Sequence, residues 1–313
     1  MSVSAPGKLF LSGEYGVLHG GTAVVAAIHR RVVARFIPGA GPTTPLGIEA
    51  RRAVRSHCEE IGSTLPEGAA EVDSGALSTN GRKLGIGSSA ATAAAAVGAL
   101  LEAAGREPEA ERALAFTLAE RAHRAAQGGR GSGADVAAAI FGGLIAYRRE
   151  AGRDPIVRPL GPLPKTEVVV VSTGSPSATI DQVRAVERFA ARDPEAHTRR
   201  IREICGVAQA FLRACEAGDS GALLGSVRAA QAALEALGRD ADVPIVTPAF
   251  AAAAALAQDL GGAAKPSGAG GGDIGVAFFF DPEAAQAFRA RVPHIGLEVL
   301  KLRIEARGIA RGD

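Results

Sequence analysis

The sequence predicts an α+β protein with two lobes. Helix and strand patterns alternate irregularly along the chain instead of in strict βαβ order, which favours an α+β fold over a doubly wound sheet. The 313 residues are enough for one large domain or two ordinary ones. Glycine, proline and charged residues become frequent near 150–165 and predict a linker there. We therefore expect an N-terminal domain over residues 1–160 and a C-terminal domain over 161–313.

The N-terminal half combines strand patterns with helical ones. Strands are predicted where residues alternate in polarity or carry β-branched side chains: the opening residues, two segments within 21–37, 69–77 and 143–150. Helices are predicted at 46–62, from Ser88 to about Ala104, at 107–127 and just after Asp135. Gly105 fits the C′ position that ends the second of these helices.

The C-terminal half begins with the run EVVVVST at 167–173, which is typical of a strand buried on both faces. Three helices are predicted at 180–216, 221–237 and 247–260. The segments 273–280 and 297–304 predict strands that close a second sheet.

Composition and charge argue against several classes of protein. The net charge of +2, with acidic and basic residues interspersed, does not indicate a nucleic-acid partner. The three cysteines (Cys58, Cys205 and Cys215) are odd in number and form no CxxC spacing, which argues against a disulfide framework or a zinc site. The opening MSVSAPGKLF lacks a signal-peptide pattern, and the one long uncharged run is weakly hydrophobic and broken by glycine. We expect a cytoplasmic monomer or homodimer without a membrane partner.

Glycine-rich segments are the strongest chemical signal in the chain. They lie at 4–21, 83–92 and 265–275, and a fourth at 128–135 carries an aspartate. The P-loop pattern GxxxxGK[ST] is absent. Gly270, Gly272 and Gly275 formally spell GxGxxG, but a β-rich run follows them where a dinucleotide site needs a helix. We therefore reject a dinucleotide site.

The turn Gly85-Ile86-Gly87 leads directly into a predicted helix that is apolar on nearly every face. Glycines allow the backbone to approach an anion, while the unpaired amides and dipole of a helix start favour phosphate. Ser89 could offer its hydroxyl to a magnesium ion carried by the phosphates. The alternative is that Ser88 only caps the helix, and both can hold.

Lys8 and Asp135 complete a set that phosphoryl transfer would need. Lys8 follows Pro-Gly at the foot of an early strand, where it could point into a cleft or be an ordinary solvated lysine. Asp135 lies in a glycine loop before an apolar helix, either as an N-cap or as a base or charge partner for Lys8. Phosphoryl transfer requires a bound donor phosphate, a metal ion, a cation near the moving group and a group that orients the acceptor.

Three segments in this order, PGKLFLSGEYGVLHGG, GIGSSAA and KPSGAGGGDIG, resemble the three motifs of the GHMP small-molecule kinases and span nearly the whole chain. Within that superfamily, GEY, the lysine before GIGSSAA, HRAAQGGRGSGADVAAAIFGGLIAYRR and STGSPSAT are similar to the phosphomevalonate kinases. The resemblance implies a ribosomal-S5-like N-terminal lobe and a ferredoxin-like C-terminal lobe. It implies the magnesium-dependent transfer of phosphate from ATP to 5-phosphomevalonate, which gives 5-diphosphomevalonate.

The same resemblance implies roles for particular residues. Lys8 and Asp135 would be catalytic, and Ser89 would bind the metal. ATP would be bound at Lys83, Gly85, Gly87, Ser88, Ser89 and Ala90. The substrate would contact Tyr15, Arg130, Ser132, Ser177, Thr179, Ser267 and Gly270, although Ser177 and Thr179 could instead cap a helix. Basic candidates for the substrate phosphate are Lys83, Arg130, Arg184 and Lys265.

Two points leave alternatives open. Mevalonate kinases have a magnesium-binding glutamate eleven residues before the motif aspartate, and this chain has Arg124 there, so we assign no carboxylate ligand on that helix. The competing activities are those of mevalonate kinase and diphosphomevalonate decarboxylase. A non-catalytic ligand sensor of the same fold could dispense with Lys8 or Asp135, and both residues are present.

Overall fold

The computed structural model describes residues 2–79, 81–174 and 179–312, with Thr179 and Ile180 described by their backbone alone. The strands in these residues are β1 Ser2–Ser12, β2 Thr22–Pro38, β3 Gly68–Asp73, β4 Ser78–Thr79, β5 Arg82–Lys83, β6 Leu144–Arg148, β7 Ile156–Leu160, β8 Glu167–Ser172, β9 Ala263–Pro266, β10 Ile274–Phe279, β11 Glu298–Leu300 and β12 Ala310–Arg311. The α-helices are α1 Pro45–Glu60, α2 Ser88–Ala103, α3 Arg112–Ala126, α4 Ala134–Phe141, α5 Thr179–Arg192, α6 Pro194–Ala217, α7 Ser220–Asp240, α8 Pro248–Asp259 and α9 Pro282–Arg291. Their irregular order confirms the predicted α+β class.

Two larger sheets and one small hairpin organise the strands. The first sheet has the order β12-β1-β2-β6-β7, and β3 also pairs with β2. The second has the order β11-β8-β10-β9, and all its pairs are antiparallel. In this second sheet Val276 of β10 lies opposite Val170 of β8 and Lys265 of β9. The strands β4 and β5 pair with each other and form the small hairpin.

Two of the sequence predictions gave the wrong number of elements. The two strands predicted within 21–37 form one 17-residue strand, β2, because no glycine or proline interrupts the pattern. The helix predicted at 180–216 is two helices, α5 and α6. The carboxylate of Asp193 accepts from the Ala196 amide at 2.9 Å, and Pro194 occupies the first turn of α6. A capping aspartate followed by proline is a helix start, which ends the preceding helix.

The chain divides into two compact units, each discontinuous in sequence. The first unit comprises Met1–Leu9, Ala26–Ile145 and Ile304–Asp313, and the second comprises Phe10–Val25 and Ala146–Arg303. The predicted domain boundary at residue 160 does not coincide with a border of either unit. The division into domains 1–160 and 161–313 stays a prediction.

The first unit is built around α2, which is buried along almost its whole length. Gly98 of this helix permits close packing, since a Cβ atom there would lie 2.6 Å from Val3 Cγ1 and 2.7 Å from Ile309 Cδ1. The C-terminal segment closes the same unit. Its Ile309 amide donates to the Ile140 carbonyl at 3.0 Å, and Arg31 of β2 donates to the Gly308 carbonyl at 2.6 Å.

Two hydrophobic clusters lie among the described residues of the second unit. One lies on the second sheet and includes Val169, Phe250, Phe279 and Phe288. The other joins α5, α6 and α7 with the turn that carries Tyr15. Among the helices described, none combines the length and the apolar character needed to cross a membrane.

A histidine pair on the second unit predicts acid sensitivity. The rings of His19 and His197 lie 5.0 Å apart, edge to face, and His197 also packs at 5.9 Å from Phe189. Burial lowers the pKa of both histidines from 6.5, and the charge of His197 lowers the pKa of His19 further. The unfolded chain therefore binds protons more readily. We expect stability to be complete above pH 6.5 and to fall as the pH drops through the two lowered pKa values.

Urea unfolding at several pH values between about 7.5 and 5 would measure this loss. His197→Gln should flatten the pH dependence in that window, because one of the two shifted groups is gone. His294→Gln is the control, since His294 is an exposed histidine of the same unit. An equally steep pH dependence in His197→Gln would contradict the prediction.

Candidate functional site

The turn before α2 has the geometry of an anion site. Gly85 and Gly87 adopt left-handed φ angles of 69° and 83°. Gly87 is the N-cap of α2, and no side chain caps the helix. The simple capping role considered for Ser88 is therefore not the observed one. The first-turn amides keep no side-chain partner at the cap, and with the helix dipole they favour a phosphate group.

Lys8 lies directly on this turn. Its backbone amide donates to the Ile86 carbonyl at 2.8 Å, which joins β1 to the turn. A Cβ atom on Gly87 would lie 2.7 Å from Lys8 Cγ and 3.1 Å from Lys8 Cε, so the lysine stem crosses the glycine. The Lys8 residue is only 9% exposed. The structure therefore excludes an ordinary solvated lysine and brings Lys8 to the start of α2.

Gly87→Ala should damage the site in two ways. A left-handed φ costs an L-residue roughly 1 kcal/mol, and the new methyl group would displace the Lys8 stem. Gly105→Ala is a matched control, because Gly105 has a φ of 76° and a Cβ atom added there would meet nothing within 4 Å. We expect similar losses of stability but a loss of phosphate-ligand affinity only in Gly87→Ala, measured by thermal unfolding and calorimetric titration. Equal affinities in the two variants would contradict the contact with Lys8.

Ser89 follows the turn and is exposed. Its Oγ lies 3.0 Å from Nε2 of His123, a buried histidine of α3. The side-chain nitrogen of Gln127 lies 2.8 Å from the same His123 nitrogen. His123 is a neighbour of the site that we did not single out from the sequence. Its one signal was its place in the segment HRAAQGGRGSGAD.

Asp135 lies in the first turn of α4 and is half-buried. The N-cap of α4 is Gly133, with a φ of 85°, so Asp135 is not the N-cap. Its carboxylate accepts from the Val136 amide at 3.0 Å, and the Ser132 hydroxyl accepts from the Ala134 amide at 3.2 Å. The helix α4 thus resembles α2 in having a left-handed glycine cap. The pairing of Asp135 with Lys8 remains a prediction.

The predicted cations of the first unit, Lys83 and Arg130, are both exposed. Lys83 ends the β4–β5 hairpin opposite Ser78, and Arg130 lies in the glycine loop before α4. Arg124 steadies this loop, since its Nε donates to the Gly129 carbonyl at 3.0 Å. Arg124 occupies the position where mevalonate kinases have a metal-binding glutamate. In this chain the side chain at that position makes a structural contact with the glycine loop.

The burial of Lys265, in the second unit, contradicts one of the predicted contacts with the substrate phosphate. Lys265 was a candidate for binding the substrate phosphate, but its side chain is 0% exposed and forms an ion pair with Glu14, which is 3% exposed. The ammonium group also donates to the Pro266 carbonyl at 2.8 Å. A cation that is already paired and sealed from water is not available to a ligand. Arg184 of α5, by contrast, is exposed.

Two predicted hydroxyl donors of the second unit already have partners. The Tyr15 hydroxyl donates to the Ala269 carbonyl at 2.6 Å. Burial, with a further contribution from Glu14, raises the pKa of Tyr15 above its ordinary value of 10.0, so this proton stays in place. The Ser267 hydroxyl donates to the Phe10 carbonyl at 2.9 Å and accepts from the Phe10 amide at 3.0 Å. Each of these hydroxyls could therefore only accept from a substrate.

The loop GAGGGD connects β9 to β10 as an antiparallel hairpin, without a helix. A strand follows the glycines, as predicted, where a dinucleotide site needs a helix. Gly270 packs so closely on Ile245 that a side chain would collide with its carbonyl, and the Gly271 amide donates to that carbonyl at 2.9 Å. Two other predicted contacts, Ser177 and the side chain of Thr179, lie outside the described residues.

Comparisons with known proteins support the same interpretation of the motifs. Residues 50–143 match the family model "GHMP kinases N terminal domain", and residues 211–296 match "GHMP kinases C terminal". The chain is 32% identical to a phosphomevalonate kinase of Streptomyces sp. (strain CL190), over 90% of both chains. It is 30% identical to a mevalonate kinase of Aeropyrum pernix, over 92% of this chain and 91% of the relative.

Solved structures share the fold. The Lin0012 protein of Listeria innocua superposes with a TM-score of 0.90 at 25% identity and covers 100% of both chains. A phosphomevalonate kinase of Streptococcus pneumoniae, crystallised with phosphomevalonate and AMPPNP, superposes with a TM-score of 0.85 at 22% identity. That match covers 97% of this chain and 99% of the other.

Proposed function

The chain belongs to the GHMP kinases, and from that premise we propose that it transfers the terminal phosphoryl group of ATP to 5-phosphomevalonate. The products are ADP and 5-diphosphomevalonate. The observation that carries the proposal is the start of α2, where an uncapped helix terminus and the Lys8 side chain meet at Gly87. Amide donors and a buried cation at one turn suit a polyphosphate better than a neutral ligand.

The choice of acceptor rests on the relatives. The 32% identity to a phosphomevalonate kinase extends over 90% of the chain. The motif details described in the sequence agree with this relative. The 30% identity to a mevalonate kinase keeps mevalonate as the competing acceptor. A phosphate monoester has a second pKa of about 6, so the attacking oxygen of phosphomevalonate is already ionised at neutral pH. A strong general base is then unnecessary.

The residues of the first unit then have distinct roles. An oxygen of the acceptor phosphate forms a bond to the γ-phosphorus of ATP, while the bond from that phosphorus to the β–γ bridging oxygen breaks. Lys8 stabilises the negative charge on the moving group, and Asp135 orients Lys8 and the acceptor. The amides of Ser88, Ser89 and Ala90, with the glycines before them, hold the triphosphate.

Magnesium fits this arrangement through Ser89. When bound, the ion would be held by the Ser89 hydroxyl and would neutralise part of the charge on the phosphate groups. It usually keeps several waters and takes only one or two protein ligands. The exposed Ser89 hydroxyl, on the first turn of α2, is the protein ligand we propose.

Further contacts extend the proposal to the substrate. We propose Lys83 for ATP, and for the substrate Tyr15, Arg130, Ser132, Ser177, Thr179, Ser267 and Gly270. Among these, the exposed Arg130 is the cation best placed to meet an anionic acceptor, because it lies in the loop that leads to Asp135.

An acceptor comparison tests the proposed function. ADP release is measured with ATP, magnesium and one of three acceptors: mevalonate, its 5-phosphate or its 5-diphosphate. We expect release with the 5-phosphate and little with the other two. Release with mevalonate alone would assign the chain to mevalonate kinase activity. A nucleotide-dependent thermal shift without ADP production from any acceptor would indicate a ligand sensor.

A further inference from the structure

We propose that His123 is a positioning residue, which holds the Ser89 hydroxyl in the orientation needed to bind magnesium. The inference rests on the proposed function, in which Ser89 is a metal ligand. His123 belongs to α3 and is not among the residues that we propose to contact the nucleotide. Its effect passes through the hydroxyl of α2 that lies 3.0 Å from its Nε2 atom.

We assign a direction to this hydrogen bond: Nε2 of His123 accepts and the Ser89 hydroxyl donates over the 3.0 Å that separate them. The side-chain amide of Gln127 contacts the same Nε2 atom at 2.8 Å. With this direction the hydroxyl hydrogen of Ser89 points towards α3.

This direction leaves the oxygen lone pairs of Ser89 free on the opposite side. A serine hydroxyl otherwise rotates to suit its neighbours and could turn its hydrogen towards a phosphate oxygen. A cation needs the lone pairs, so fixing the hydrogen prepares the ligand before the metal arrives. Groups behind a metal ligand commonly do this, and their removal costs about 10–100-fold in metal affinity.

Burial makes His123 suitable for this task. The residue is only 4% exposed, whereas Ser89 and Gln127 are both exposed. The ring is therefore held by the packing of α3 against α2, and its one acceptor atom faces a hydroxyl at the open helix terminus. Gln127, the C-cap of α3, contacts the same Nε2 atom from the solvent side.

The test measures nucleotide binding without any acceptor. Calorimetric titration gives the affinity for AMPPNP with magnesium and, separately, with EDTA. For His123→Phe we expect about a tenfold weaker affinity with magnesium and an unchanged affinity with EDTA. His123→Gln should retain most of the magnesium effect, because a glutamine Oε1 can replace Nε2 as the acceptor. In a Ser89→Ala background, His123→Phe should have no further effect.

Three outcomes would overturn the proposal: equal weakening with magnesium and with EDTA, a full effect of His123→Phe in the Ser89→Ala background, or a wild-type affinity that magnesium does not change. Thermal unfolding of each variant shows whether the fold is kept, and His123→Gln still decides the question if His123→Phe does not fold. The proposed function fails separately, in the acceptor assay. A chain that binds magnesium–AMPPNP as expected but phosphorylates another acceptor would retain the role of His123.

Discussion

Replacing Lys265 with methionine is expected to destabilise the chain by about 3–5 kcal/mol. The Lys265 side chain is 0% exposed, and Glu14, its partner, is 3% exposed, so the substitution leaves a buried carboxylate without its counter-ion. Glu14 cannot reach water without opening its turn. That turn is constrained, because Gly13 and Tyr15 on either side have φ angles of 94° and 60°.

Urea unfolding monitored by circular dichroism would measure this loss. The double variant Glu14→Gln with Lys265→Met should recover much of the stability, because no buried charge is left. Lys165→Met is the matched control, since Lys165 is exposed, and its effect should stay within about 0.5 kcal/mol. A loss below about 1 kcal/mol for Lys265→Met would show that the ion pair is not a structural support.

Lys8→Met should lower kcat by about 10²–10³-fold while the protein stays folded. Methionine keeps an apolar stem to lie over Gly87 and removes the ammonium group that would stabilise the moving phosphoryl charge. Because that charge develops mainly in the transition state, we expect kcat to fall far more than the KM for either substrate rises.

Steady-state kinetics with ATP and phosphomevalonate would test this, with Lys301→Met as the control because Lys301 is an exposed lysine. Asp135→Asn in the same assay examines the second member of the pair. It should lower kcat by less than Lys8→Met, because the acceptor oxygen is already ionised. Near-wild-type turnover in both Lys8→Met and Asp135→Asn would show that this pair is not the catalytic one.

Much of the site could be predicted because its signals are local in sequence. The start of α2 followed from two glycines before an apolar run, and its end followed from Gly105. The helix α3 was less well placed: it was predicted from residue 107 but begins at Arg112. Where a glycine or a capping residue fixes the backbone, its neighbours suffice to locate the element.

Contacts between distant residues could not be predicted in this way. Glu14 and Lys265 are 251 positions apart, and nothing near Lys265 in the sequence indicates that its charge is buried. His123 and Ser89 are 34 positions apart and meet only because α3 packs on α2. A lysine or histidine has the same local signal whether it is solvated, paired or catalytic, and only its burial and its partners in the fold separate these cases.

The discontinuity of the first unit has a consequence for biosynthesis. Residues 304–313 are synthesised after the whole of the second unit, yet they provide β12, the partner of β1, and the Gly308 carbonyl bound by Arg31. Protein domains commonly fold in the order in which they are made. Here the first unit can complete its sheet only after the long 146–303 segment of the second unit has left the ribosome. During that whole interval the helix α2 lacks one of its packing partners, Ile309.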